Sequence, residues 1–330
     1  MPISITSPEA AIAATPYLIG FTPTDSMVLL LSAREGRSLA LRVDLPSRPE
    51  IAWLQSIVNG IKDPVPPTTM LLAYADSASE ELVAQLSAWL TNVLSPLTDV
   101  AASLLVGRDS ARSLAPGISG TLAQEIDMRD VRDHPIVAQC VAQGMTCLSG
   151  RHELVAQLQP VRDEFSSRVL EHLRRSESPG VERSQDALER RAVEVLQGRE
   201  NLSPSDVACL ALACRDCHVR DPLLAIVLSP QSLLTQPLRG IRTRLLHAVR
   251  HLPDTHAGPV AATLALAAWA DGDGASALVA AERAMDLDPR NTLAPLIVDA
   301  LSHGLPPDTW TTLTDGIPIE VLRGHGRRSA

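Results

Sequence analysis

Apolar and polar positions follow two rhythms along this chain, and the change of rhythm divides it. In the first hundred residues, short apolar runs are separated by turn formers and amphipathic stretches. SMVLLLSA (26–33) is nearly unbroken and predicts a buried strand. SLALRVDL (38–45) predicts a second, and a turn at Glu35 and Gly36 would join the two as a hairpin. Behind Pro46 and Pro49, the residues Ile51, Leu54, Ile57 and Val58 recur at helical spacing. The proline-rich DPVPPTT then leads into MLLAYAD (70–76), a third strand. EELVAQLSAWLTNVL (80–94) carries Leu82, Leu86, Trp89 and Leu90 as one helical stripe, and DVAASLLV (99–106) reads as a fourth strand. The β-β-α-β-α-β order predicts an α+β or α/β domain over residues 1–148, a small mixed sheet covered by helices on at least one face. A short helix over 7–14 precedes it, with Ser7 as cap and Pro8 in the first turn; Pro16 is expected to end it.

Residues 107–150 show neither rhythm: Gly and Pro at 116–120 mark a loop or boundary, and DMRDVRDH (127–134) is highly charged. Beyond Gly150 the helical period dominates, which predicts an all-α multi-helical domain over 149–318. Its best-marked start is SPSDVACLALAC (203–214), where Ser203 caps, Pro204 opens the first turn and Asp206 faces the positive helix end. Further helices are expected over 220–228, 231–250, 258–270, 275–287 and 291–303. Residues 319–330, ending in RGHGRRSA, read as a disordered tail.

Composition narrows the function classes. Of 330 residues, 45% are hydrophobic but only 2% aromatic, so the core must be Leu, Val, Ala and Ile. So few aromatic rings also argue against a site that stacks sugars or bases. A net charge of -9 without a long Lys/Arg run argues against nucleic acid as a partner. The longest apolar runs, VLLL (28–31) and VAATLALAAWA (260–270), are shorter than a membrane span, and no basic n-region precedes the first apolar residues. A cytoplasmic protein is expected, with no membrane association and no indication of oligomeric state. Five cysteines, an odd number, do not suggest a disulfide framework.

Cys214-Arg-Asp-Cys217-His218 has the bare spacing of a c-type haem attachment, in which two thiols add to the porphyrin and the histidine ligates iron. Cys209, Cys214, Cys217 and His218 could also supply four zinc ligands, but on one continuous helix Cys209 would point away from the rest. His247 and His251 stand at i and i+4 without the Glu of an HExxH site. The reading adopted is helical cysteines, buried or half-buried; neither metal nor cofactor is expected. No Walker A motif occurs, GISG (117–120) is too short for a dinucleotide fingerprint, and GRDSARS (107–113) lacks a nucleophile elbow. The polar stretch GFTPTDS runs straight into the first strand. There Asp25 and Ser26, with Arg42, Asp44 and Asp76 from the ends of later strands, can meet at one edge of the sheet. They read either as a turn network satisfying backbone groups or as a site for a small polar ligand.

PYLIGFTPTDSMVLLL (16–31), LALRVDLP (39–46) and MLLAYAD (70–76) resemble the actinobacterial DUF4192 family. SGRHELVAQLQPV (149–161), VRDPLLA (219–225) and GPVAATLALAAWADGDGASALVAAERAMDLDP (258–289) extend the resemblance over most of the chain. It implies domain extent and class of organism, not a reaction. Many members carry a tryptophan and a CCP-glycine turn after the fourth strand. LLVGRDSARSLAPGISG (104–120) has neither, so an activity or metal tied to that segment does not carry over. Residues 267–297 also resemble one tetratricopeptide-like helical pair within 258–303, with small residues at the helix contact. The function expected is a partner-binding or regulatory/scaffold protein that uses its helical half. The alternative is a small-molecule-binding protein or enzyme acting at the Asp/Ser/Arg edge.

Overall fold

The computed structural model describes residues 5–32, 38–59, 61, 67–76, 79–114, 125–178, 184–198, 201–235, 237–315 and 317–324. The turn at Glu35 and Gly36, most of DPVPPTT, the GISG loop and the chain after 324 lie outside the described residues. The chain forms two compact units, one running to Glu153 and the other comprising Leu154–Leu301 and the chain from Leu305.

The first unit contains α1 (Pro8–Ile19), β1 (Ser26–Ser32), β2 (Ser38–Asp44), α2 (Ile51–Asn59), β3 (Thr68–Tyr74), α3 (Glu80–Leu94) and β4 (Asp99–Val106). There follow β5 (Ser110–Ser113), β6 (Ile126–Asp127), α4 (Met128–Arg132) and α5 (Pro135–Ala142). The strands form one mixed sheet in the order β2-β1-β3-β4-β5-β6. Among the described strands of this sheet, β3 and β4 alone pair in parallel, and α3 supplies the crossover such a pair requires. Helices cover both faces. Val28, Leu30, Leu72 and Leu104 pack with Ala10, Ala11 and Ala14 of α1 and with Val131 and Ile136 beyond the sheet. On the opposite face Met27, Leu29 and Leu71 pack with Ile57, Val83, Leu90 and Leu94. β1 lies between two strands and two helical layers, which explains why its side chains are apolar without alternation.

Pro16 does not end α1. Ser7 caps the helix as expected, accepting the Ala10 N–H at 3.1 Å, but the helix continues through Pro16 to Gly20. Gly20 stops it with φ 82°, a left-handed C-cap that glycine adopts without strain. The chain then joins the far end of the unit. The Leu148 N–H donates to the Gly20 carbonyl, and the Thr22 N–H donates to the Leu148 carbonyl, both at 2.9 Å.

After α6 (Arg151–Gln157), the second unit is helical among its described residues: α7 (Glu164–Ser176), α8 (Gln185–Gln197), α9 (Pro204–Arg215), α10 (Cys217–Val227) and α11 (Pro230–Thr235). Next come α12 (Leu238–His251), α13 (Asp254–Ala270), α14 (Gly274–Leu287), α15 (Leu293–Ser302), α16 (Asp308–Asp315) and α17 (Ile319–Gly324). α13 is the core: every residue from Val260 to Trp269 is buried, and α9, α12 and α14 pack around it. The Ser203–Asp206 capping box opens α9. Asp273 caps α14, and with Asp271 it binds the Arg242 guanidinium, pinning the α13–α14 turn to α12.

Three expectations change here. The helix expected over 231–250 is two helices: α11 ends at Thr235, and Pro237 takes the extended φ -66° and ψ 146° ahead of α12. Cys214 and Cys217 do not share a helix. Asp216 takes φ -93° and ψ 112° between them, ending α9 and capping α10 through the His218 N–H. Residues 319–324, assigned to a tail, form α17.

Candidate functional site

Ser26 opens β1 directly opposite Asp44, the last residue of β2. Ser26 Oγ donates to the Thr24 carbonyl at 2.5 Å and accepts Arg42 Nε at 2.9 Å. Arg42 Nη2 reaches Asp44 Oδ1 at 2.5 Å, and its guanidinium carbon stands 5.7 Å from the centre of the Phe21 ring. The Arg42 side chain is 16% exposed and that of Asp44 is 79% exposed. Asp25 contributes through its backbone: φ is 44°, and its carbonyl accepts the Leu45 N–H at 2.9 Å. Trp53 Nε1 closes the same corner by donating to the Asp44 carbonyl at 2.8 Å. Asp76 stands two residues beyond the end of β3, where its carboxylate accepts the Ser79 N–H at 3.2 Å. The structure thus joins Ser26, Arg42 and Asp44, sets Asp25 in the adjoining turn and gives Asp76 a different partner.

The cysteine and histidine candidates separate. Cys214 is buried beside Thr263, and burial pushes its thiol up to about 11; burial likewise pushes Cys209 up to about 12. Cys217 is exposed at the first turn of α10, contrary to the expectation of buried or half-buried cysteines. His247 and His251 have ring centres 4.4 Å apart, and both meet the Phe165 ring edge-on. Burial, followed by the charges of His251 and Arg250, lowers the His247 pKa, against a weaker opposing effect of Asp163.

Asp163, Ser166 and His251 meet in a way the sequence did not suggest. His251 Nδ1 lies 3.1 Å from Ser166 Oγ and 3.5 Å from Asp163 Oδ1. A nucleophilic triad needs serine and carboxylate on opposite ring nitrogens. Here both face Nδ1, and Ser166 is buried with its Oγ donating to the Val161 carbonyl at 2.7 Å. This arrangement caps α7 and does not build a nucleophile.

A cavity of about 590 Å³ opens beside α8, α10 and α17. Asp186, Glu189, Glu194 and Glu320 line it against two guanidinium groups, Arg190 and Arg323, so its charge is negative. Glu189 is only 4% exposed. Arg323 from α17 grips it with both ends of its fork, Nε to Oε2 at 3.1 Å and Nη2 to Oε1 at 2.5 Å. That contact holds the Arg323 proton more firmly than usual.

The model of a domain of unknown function, DUF4192, matches residues 8–308. The chain belongs to the DUF4192 family. No curated protein and no solved structure matches this DUF4192 chain. No helix among its described residues is long and apolar enough to cross a membrane. The cavity escaped sequence reading. Its signal in the DUF4192 chain is diffuse: charged residues at 186, 189, 190 and 194 on one helix, and Glu320 and Arg323 in a segment expected to be a tail.

Proposed function

We propose that this DUF4192 protein is a cytoplasmic partner-binding protein whose helical unit receives a basic segment of another protein in the cavity beside α8, α10 and α17. The observation that carries the reading is the pairing of Glu189 with Arg323. A buried carboxylate is strongly unfavourable without a cation, and here the cation comes from the last described helix of the chain. α17 spans six residues, and Val321 on it is 45% exposed. A partner's arginine can take the place of Arg323 without leaving Glu189 unpaired, and the surplus of carboxylates favours the exchange. In the same reading, α13 and α14 form one tetratricopeptide-like pair that serves as scaffold, and the Ser26–Arg42–Asp44 network secures the end of the sheet.

The test is isothermal titration of an arginine-bearing peptide into full-length wild type, Arg323→Ala and Glu189→Gln. Binding should strengthen in Arg323→Ala, vanish in Glu189→Gln and weaken as salt is raised. Equal binding by both variants would refute the assignment.

A further inference from the structure

The kink between α9 and α10 gathers three side chains of metal-ligand chemistry. Because Asp216 ends one helix and caps the next, Cys217 and His218 occupy the first turn of α10 beside it. An Asp216 carboxylate oxygen, the Cys217 sulfur and a His218 ring nitrogen all lie within 4.8 Å of one another. Cys217 is exposed, and its two neighbours are half-buried. We propose that Asp216, Cys217 and His218 bind one Zn²⁺ ion, with water as the fourth ligand.

The donor set fits that ion. Zinc takes sulfur, imidazole nitrogen and carboxylate oxygen at roughly 2.0–2.3 Å in a tetrahedron, so its ligand atoms stand about 3.3–3.7 Å apart. Closing from the present spacing takes about an ångström of side-chain movement on that geometry. A thiolate and a carboxylate together balance the charge of the dication, and the exposed thiol leaves room for water. Binding releases the Cys217 proton to solvent.

The carboxylate is held once from outside the ligand set and once by the backbone within it. Gln185 of α8 donates from Nε2 to Asp216 Oδ2 at 2.9 Å, and the His218 N–H donates to Asp216 Oδ1 at 2.9 Å. Each oxygen keeps a lone pair for the metal while these bonds hold the carboxylate in place, the usual role of groups behind a metal ligand. Cys214 and Cys209 are poor competitors, because burial pushes their thiols up to about 11 and about 12.

The experiment is titration of metal-free, full-length protein with Co²⁺, followed by displacement with Zn²⁺. A sulfur-to-cobalt charge-transfer band saturating at one ion per chain is expected, and Zn²⁺ should abolish it. Cys217→Ser should remove the band, and His218→Ala should weaken binding at least as strongly as loss of a supporting group, about ten-fold or more. Asp216→Ser keeps a capping oxygen for α10 but loses the carboxylate, so its helical circular dichroism should persist while affinity falls. Gln185→Ala should cost about ten-fold, and Cys147→Ser should change nothing. Absence of the band, or its survival in Cys217→Ser, would overturn the proposal.

Discussion

Replacing Arg42 with alanine separates the two meanings of the sheet-end cluster. The side chain makes three kinds of contact, and each can be weighed. Its Nε bond to Ser26 is worth about 0.5–1.5 kcal/mol. The stacking on Phe21 adds about 0.5–1 kcal/mol. The ion pair with Asp44 adds about 0–1 kcal/mol, at the low end because that carboxylate is 79% exposed. Together the loss is about 2 kcal/mol, which raises the opening constant of the β1–β2 hairpin about thirty-fold. Hydrogen exchange of β1 and β2 peptides in the full-length protein reads this directly. Asp44→Ala should accelerate the same peptides only slightly, and Arg42→Lys should fall between, since lysine keeps the charge but not the fork. Unchanged exchange in Arg42→Ala would refute the network as a structural device. Equal acceleration in Asp44→Ala would refute the weighting by exposure.

Other outcomes follow from the same contacts. Because the folded His247 pKa is lowered, the unfolded state binds more protons, and stability should fall as pH drops below about 6.5; His247→Phe should flatten the dependence of Tm on pH in that window, and an unaltered slope would sink the assignment. Asp163, whose carboxyl is lowered chiefly by the Ser166 N–H, acts in a separate window, where its own contribution to stability is lost as pH falls through the carboxylate range. Gly258 allows close helix packing, since a Cβ there would stand 3.0 Å from Asp288 Cβ, so Gly258→Val should lower stability by about 1–3 kcal/mol in a thermal melt. Asp25→Gly should be tolerated and Asp25→Val should cost about 1–2 kcal/mol, because φ is 44° there; equal losses in chemical denaturation would show that the carboxylate matters more than the backbone.

How much of this was legible depends on the length and solvation of each element. β1 could be read because a strand covered on both faces is apolar throughout. β5 and β6 could not, since four and two residues are too few to display alternation. The end of α1 was misplaced because Pro16 is a local stop signal, while burial of Ala10–Thr15 and Ile19 holds the helix together beyond it. α13 shows almost no amphipathic period because helices surround it. At the sheet end, the parity of Arg42 and Asp44 and the pairing of Ser26 with Asp44 are consequences of strand alternation, so that group was within reach. Asp76 was not, because β3 ends at Tyr74 and the Asp76 carboxylate accepts the Ser79 N–H. Glu189 and Arg323 meet only through tertiary packing, which no local pattern encodes.

The backbone tie between Gly20, Thr22 and Leu148 orders events at the ribosome. β1 emerges before the other described strands of its sheet and ends between two of them, yet the turn leading into it is secured by a residue near the far end of its unit. At roughly 5–20 residues per second, Leu148 follows Gly20 by on the order of ten seconds. Throughout that interval the nascent chain carries the apolar segment MVLLL with its closing contact still to come, a span in which a ribosome-bound chaperone has both time and a target.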